Sequence, residues 1–171
     1  MSQVTVENIE RAERSRPILP KEYGMPTDSE GLLDWEWVTE RLEKAKDYWV
    51  CTVRPDGRPH AVPVWAFWVD GVLYFDGHPQ TRWGRNLASN PAISVHIEID
   101  GGVVILEGIV QDIAHLDRPI AEKLYEVSMA KYNYSEKADV YVERGIFSLK
   151  PKLVLAWGSY PKTLTRWRLP E

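Results

Sequence analysis

The sequence predicts an α+β fold, mainly antiparallel β, in which about six strands close or nearly close into a barrel flanked by helices. Three observations predict it. Apolar stretches recur at 48–54, 58–69, 72–75, 92–99, 103–114 and 146–157, each long enough for a strand. The breaks between them carry hairpin chemistry: Pro55-Asp56-Gly57, Asp70-Gly71 and Asp100-Gly101-Gly102, where Pro presets φ and Gly accepts positive φ. Gly108 falls inside the long apolar stretch VVILEGIVQDIA and marks a bulge or a bend at a barrel corner.

Taken in order, residues 1–27 are charged and interrupted by Pro17, Pro20, Gly24 and Pro26. They are expected to form an N-terminal arm that packs on the surface or on a partner subunit. Residues 28–171 are expected to form a single domain. Trp35, Val38, Leu42 and Ala45 are spaced by three, four and three, one face of a helix over 34–46 with Asp34 as its N-cap. Three strands follow, then a polar loop, Gly77-His78-Pro79-Gln80-Thr81, and a helical start bearing Arg82, Arg85 and Asn86. Asn90-Pro91 ends that helix, because the residue before proline avoids the α region. Strands at 92–99 and 103–114 precede a helix from Asp117 to about Lys131, with Pro119 in its first turn and Leu116, Ile120, Leu124 and Val127 on one side. Residues 132–145 are polar and without clear period. The last strand lies within 146–157, and the tail ends in alternating Trp and Arg.

The 171 residues suit one domain with a sizeable core, and 44% apolar with 27% charged residues is an ordinary globular composition. A net charge of -4 argues against a nucleic-acid partner. The single cysteine excludes an internal disulfide, no apolar run reaches the length of a membrane span, and the N-terminus lacks a signal-peptide core. These features lead to an expectation of a cytoplasmic protein without a membrane partner. Eight Trp and eight Tyr can line a site for a planar ligand, serve an obligate interface, or pack a core.

Two segments carry candidate chemistry. The stretch RPHAVPVWAFWV is apolar almost throughout, so both faces are expected to be covered. Pro59 and Pro63 cannot donate to a ladder, so pairing lapses around Pro63 and nearby backbone groups need another partner. A flat heterocycle such as a flavin is one, and an edge strand buried in a dimer is the plainer alternative. In the second segment Thr81 offers a hydroxyl, Arg82 and Arg85 offer guanidiniums, and a helix begins with free N–H groups, a set suited to phosphate. A solvated basic face is the competing reading. Cys51 in an apolar strand reads as a buried inert thiol. His60, His78, His96 and His115 lack metal-ligand spacing. Glu107 is the one acid in its apolar strand and is expected to face solvent or pair with an arginine. No Ser-His-Asp arrangement is visible, and no side chain stands out as a catalytic acid or base.

Together CTVRPDGRPHAVPVWAFWVDGVLYF, TRWGRNLASNPAISV, LEGIVQDI, and AW followed by TRWRL resemble the pyridoxamine 5'-phosphate oxidase-like family of split β-barrel flavoproteins. The resemblance implies an FMN-binding split barrel and a homodimer sharing two cofactor sites. It implies hydride transfer between FMN, or alternatively the deazaflavin coenzyme F-420, and a small-molecule substrate in the dimer cleft. By residue, it implies that the strand through His60, Val62, Pro63, Val64 and Trp65 runs along the isoalloxazine ring. Asp76, Gly77, Thr81 and Arg82 would hold the phosphate, with Arg85 and Asn86 beside them, and Trp157 and Arg166 would close over the cofactor near the two-fold axis. Trp83 stands where the family motif often has Lys, which removes a cation. Either Arg85 compensates or Trp83 stacks on a ring. Arg54, Arg58 and the aromatic tail are expected to shape the substrate pocket. A flavin- or haem-binding protein without turnover is the alternative from another class.

Overall fold

The computed structural model describes residues 11–134 and 136–170. In these residues the chain forms strands β1 (Glu13–Ser15), β2 (Tyr48–Val53), β3 (Pro59–Val64), β4 (Ala66–Val69), β5 (Val72–Phe75), β6 (Ala92–Ile99), β7 (Gly102–Ile113), β8 (Ile146–Trp157) and β9 (Thr165–Arg168). Helices are α1 (Trp35–Lys44), α2 (Arg82–Ser89), α3 (Arg118–Tyr132) and α4 (Ala138–Arg144), with a 3-10 turn at Lys21–Tyr23. No described helix is long and apolar enough to cross a membrane.

All pairings are antiparallel, and the hydrogen-bonded order is β1-β9-β8-β7-β6-β2-β3, with β5 also on β8 and β4 on β5. Among the described residues the sheet does not close through hydrogen bonds, which excludes the fully closed form of the expected barrel and agrees with the split barrel that the resemblance implies. The reason lies in the stretch 58–69, expected as one strand. It is β3 and β4, joined by the single residue Trp65: β3 pairs with β2, and β4 turns away to pair with β5. The chain itself therefore spans the gap between the sheet's two ends, giving a split barrel.

Turn chemistry sets the hairpins. Asp56 Oδ1 accepts from Arg58 N–H at 3.1 Å and Gly57 takes φ +83°. Asp70 and Gly71 both have positive φ, at 50° and 79°, the twist a two-residue hairpin loop needs. Gly108 marks the bulge, since the β7–β8 register shifts between Glu107 and Gly108. A Cβ there would lie 2.9 Å from Leu149 Cδ1 and 3.1 Å from Lys150 O.

The barrel interior is filled from the inward pleats by Tyr48, Val50, Val95, Ile97, Val104, Leu106 and Val154, and α1 closes one end with Val38 and Leu42. A second cluster, built on Phe67, Tyr74, Leu124, Tyr141 and Ile146, seats α3 and α4 against β4 and β5. Residues 11–27, expected as an arm, are tied to the domain. β1 extends the sheet on β9, and the Arg16 guanidinium donates to the carbonyls of Asp28 (2.7 Å) and Lys162 (2.9 Å). Residues 1–10 lie outside the described residues.

Candidate functional site

The site begins at the strand that changes partners. Among the described residues β3 pairs only with β2, and no strand of theirs covers its other edge. Just beyond the ladder, Arg54 N–H donates to Arg58 O at 2.9 Å. By alternation Thr52–His60, Val50–Val62 and Tyr48–Val64 are then the hydrogen-bonded pairs. Pro59, Ala61 and Pro63 therefore turn their backbone outward, where a missing proline N–H breaks no ladder bond. The open edge presents the carbonyls of all three residues and the N–H of Ala61.

Pairing with β2 ends at Val64. The freed groups of Ala66 do not wait for a ligand, as the sequence reading expected. Its N–H donates to Tyr132 Oη at 3.1 Å, and its carbonyl lies 3.1 Å from the same hydroxyl and 3.4 Å from Lys131 Nζ. Lys131 Nζ also reaches Tyr48 Oη at 3.1 Å and Leu42 O at 3.3 Å. Burial pushes the Lys131 ammonium down to about 8 and Tyr132 up to about 12, and it raises Tyr48 as well. Trp65, still 50% exposed, lies flat on Tyr132 with ring centroids 4.5 Å apart and planes at 11°.

In front of this bend is a cavity of about 350 Å³. The strands contribute Val64, Trp65 and Phe67. The following loop and the start of α2 contribute Asp76, Gly77, Thr81 and Trp83. The far wall comes from α3, α4 and their connection, through Ser128, Tyr134, Glu136 and Tyr141. That last group was missed by sequence reasoning, because Tyr134, Glu136 and Tyr141 fall in 132–145, which shows no period, and all four lie more than forty residues from the rest of the site. The structure thus brings Val64, Trp65, Asp76, Gly77, Thr81 and Trp83 together. Among the described residues lining the cavity none is Lys, Arg or His. Two of them, Asp76 and Glu136, carry carboxylates, and Asp76 is bonded to Arg144 of α4.

The phase of α2 explains the missing cations. Trp83, Gly84, Asn86 and Leu87 are buried, whereas Arg82 and Arg85 are exposed. Thr81 caps the helix by accepting from Gly84 N–H at 3.1 Å. Trp83, 6% exposed, is held edge-on to Phe147 (5.2 Å) and tilted against Phe75 (5.8 Å). It stacks within the core, and it fills the space beside Gly77 so fully that a Cβ there would lie 2.2 Å from its Cζ2. Arg85 does not compensate, since it bonds the carbonyl of Gln80. Arg82 leans toward the β2–β3 turn. There Asp56 is held below the usual carboxylate range, first by its bonds to Arg58, with Arg54 and Arg82 adding to the effect.

The other expected residues lie elsewhere. Asn86 is buried and donates Nδ2 to Thr52 Oγ1 at 2.9 Å, its Oδ1 left without a partner. His60 and Val62 are half-buried on the inward pleat of β3, and Pro63 faces out. Trp157 and Arg166 are on the outer face of β8 and β9, Trp157 against Tyr160 at 5.7 Å and Arg166 donating to Ser15 Oγ at 3.0 Å. Arg58 is spent on Asp56 within the turn rather than on a pocket. Cys51, expected to be buried, is half-exposed on the outer pleat with Sγ 3.8 Å from His96 Nδ1, and burial still pushes its thiol upward. Glu107 is exposed at the bulge. That outer face also carries Trp49 (43% exposed), Val53 (40%) and Ile109 (47%), so the described residues of one chain leave the second face of β2 and β3 uncovered.

No curated protein matches the chain. Solved structures do share the fold. A conserved hypothetical protein from Mycobacterium tuberculosis has 15% identity and a TM-score of 0.63, covering 77% of this chain and 89% of its own. A NimC/NimA family protein from Clostridium acetobutylicum has 18% identity and a TM-score of 0.55, covering 81% and 96%. A heme binding protein from Mycobacterium smegmatis has 21% identity and a TM-score of 0.50, covering 74% of this chain and 53% of its own. These identities speak for the fold alone. The family description "Pyridoxamine 5'-phosphate oxidase" matches residues 35–158, which include the bent strand, the α2 loop and the whole of α3 and α4. The chain therefore belongs to the pyridoxamine 5'-phosphate oxidase family.

Proposed function

We propose that this chain is an oxidoreductase that carries a flavin-type ring in the cavity at the β3–β4 bend and acts on a small organic molecule as a homodimer. The observation that carries the proposal is the convergence of Val64, Trp65, Gly77 and Thr81, from two separate segments, on one cavity of about 350 Å³ beside an open strand edge. The ring portion of such a cofactor fits what is present. Trp65 offers a flat aromatic surface, and the β3 edge offers acceptors and an amide donor. For the phosphate portion of FMN, the expected clamp is not assembled by the described residues that line the cavity in one protomer, none of which is Lys, Arg or His. An acid-tailed deazaflavin would want further Lys or Arg along the groove, and among the described residues lining the cavity none is either, so a flavin ranks ahead of it.

A bound flavin supplies hydride exchange, and the protein supplies position and electrostatics. This chain's own contribution is to hold the bend rigid through Tyr132 and Lys131 and to exclude water with Phe67, Trp83 and Tyr141. A second copy is supported by the exposed apolar residues Trp49, Val53 and Ile109 on one sheet face. A cytoplasmic location belongs to the same proposal. The experiment is identification of the chromophore released when the purified protein is denatured, with flavin titration if none is released. Flavin absorption bands, or saturable uptake of flavin, are expected. A haem band, or no uptake of any flavin, would contradict the proposal.

A further inference from the structure

We propose, building on the flavin reading given under Proposed function, that Lys131 is a positioning residue whose ammonium proton holds the cavity wall in its binding form, so that flavin affinity falls when that proton leaves. Three acceptors face the three N–H donors of the Lys131 ammonium: Tyr48 Oη at 3.1 Å, Leu42 O at 3.3 Å and Ala66 O at 3.4 Å. They belong to β2, to α1 and to the corner between β3 and β4, so one side chain ties three elements together. The hydroxyls nearby are already committed. Tyr48 donates its own proton to Leu42 O, and Tyr132 has one proton for Lys46 O (2.8 Å) and Ala66 O (3.1 Å). A neutral amine brings two N–H donors to the same three acceptors, so deprotonation releases one tie.

That corner carries the cavity. Ala66 stands between Trp65 and Phe67, and Lys131 stands between Ser128, one helical turn before it, and Tyr134; all four flanking residues line the cavity. Trp65 is stacked on Tyr132, the residue after Lys131, with centroids 4.5 Å apart. A tie lost at Ala66 therefore acts on the residue next to the aromatic wall. Charge at Lys131 is contested by its surroundings. Burial pushes the ammonium down to about 8, against the attraction of Glu43 on α1. The rings of Tyr48 (5.1 Å) and Tyr132 (5.8 Å) also favour the charged form. Those two tyrosines are raised chiefly by burial, with Glu43 adding to the effect on Tyr48 and Asp47 to that on Tyr132. Both tyrosines keep their protons in the range where Lys131 loses its own, so Lys131 is the member of this cluster that changes charge there.

The experiment is riboflavin titration of the full-length protein at pH values from about 7 to about 9, paired with an NMR titration of the Lys131 Cε resonance. Riboflavin is the probe because it has no phosphate to change charge. One hydrogen bond is worth roughly tenfold in affinity, so the protonated form is expected to bind about tenfold tighter than the neutral form. With Lys131 at about 8 in the free protein, the riboflavin dissociation constant then rises about fivefold between pH of about 7 and about 9. By reciprocity the Lys131 midpoint moves from about 8 to about 9 when riboflavin saturates the cavity. Lys131→Met is expected to bind riboflavin no tighter than the wild type does at the high end of the range, and with no pH dependence. If that variant does not fold, the wild-type profile and the Lys131 resonance decide alone. A dissociation constant constant within about twofold across the range, with the Lys131 midpoint unmoved by riboflavin, would overturn the role of the proton and leave the flavin reading intact. A pH profile that persists in Lys131→Met would do the same. Failure of riboflavin to bind at any pH would overturn both.

Discussion

Gly77→Ala tests how the loop, the core and the cavity depend on one another. The added Cβ would stand 2.2 Å from Trp83 Cζ2 and 2.8 Å from its Cη2. Relief by a small rotation is blocked, because the indole is held by Phe147 at 5.2 Å and Phe75 at 5.8 Å, and Trp83 is only 6% exposed. Overpacking of this kind costs about 1–3 kcal/mol, and a contact so short against a caged ring places the cost in the upper half, about 2–3 kcal/mol. For a chain of this size that corresponds to a fall of roughly 4–12 °C in Tm. Urea unfolding followed by tryptophan fluorescence measures it. The same substitution is expected to weaken flavin binding, since Gly77 and Trp83 both line the cavity. In a Trp83→Leu background the penalty of the added methyl should fall below about 0.5 kcal/mol, because the clashing ring is gone. A Gly77→Ala protein within about 0.5 kcal/mol of wild type, with unchanged flavin affinity, would refute the packing argument and the account of the missing cation that depends on it.

Thr52→Val or Asn86→Leu alone is expected to cost about 1–3 kcal/mol by stranding a buried partner, whereas the pair together should be nearly neutral in chemical denaturation, since both ends of the 2.9 Å bond then vanish along with the unpaired Asn86 Oδ1. Burial lowers Lys131 to about 8 from its ordinary 10.5, so between those values the unfolded chain holds more protons and stability should rise with pH. Tyr132, raised to about 12 from its ordinary 10.0, and Tyr48, raised in the same direction, should reverse the trend above pH 10. A pH series of unfolding free energies checks this, and Lys131→Met should lose the rising limb. Trp65→Ala should change stability by less than about 1 kcal/mol, the residue being half exposed, yet weaken flavin binding about fivefold in a fluorescence titration. Trp49→Asp should shift the protein toward monomer in light scattering, and an unchanged mass would count against the outer face as the dimer contact.

Much of the barrel was legible because its signals are local. Asp70-Gly71 and Pro55-Asp56-Gly57 encode their turns in the residues that adopt them, and Gly108 announced the bulge for want of room for a side chain. The division of 58–69 at Trp65 was not legible, since both halves are apolar and only the partner strand differs. β1 and β9 are short and polar, and they exist because each completes an edge of a larger sheet. At the site, Arg82 and Arg85 share a helix face by spacing, but spacing does not say which face turns inward. The apolar pair Trp83 and Leu87, four apart and both buried, sets that phase, and it was readable in advance. The wall from Ser128, Tyr134, Glu136 and Tyr141 depends on how α3 and α4 dock across β4 and β5, which no local pattern encodes.

The claim at the centre of this account is that a flavin ring occupies the cavity at the strand bend. A crystal structure of the protein saturated with riboflavin measures it most directly. The account predicts ring density between Val64–Trp65 and Gly77, with Trp83 unmoved in the core. Density on the outer sheet face, or an empty cavity at saturating riboflavin, would contradict it.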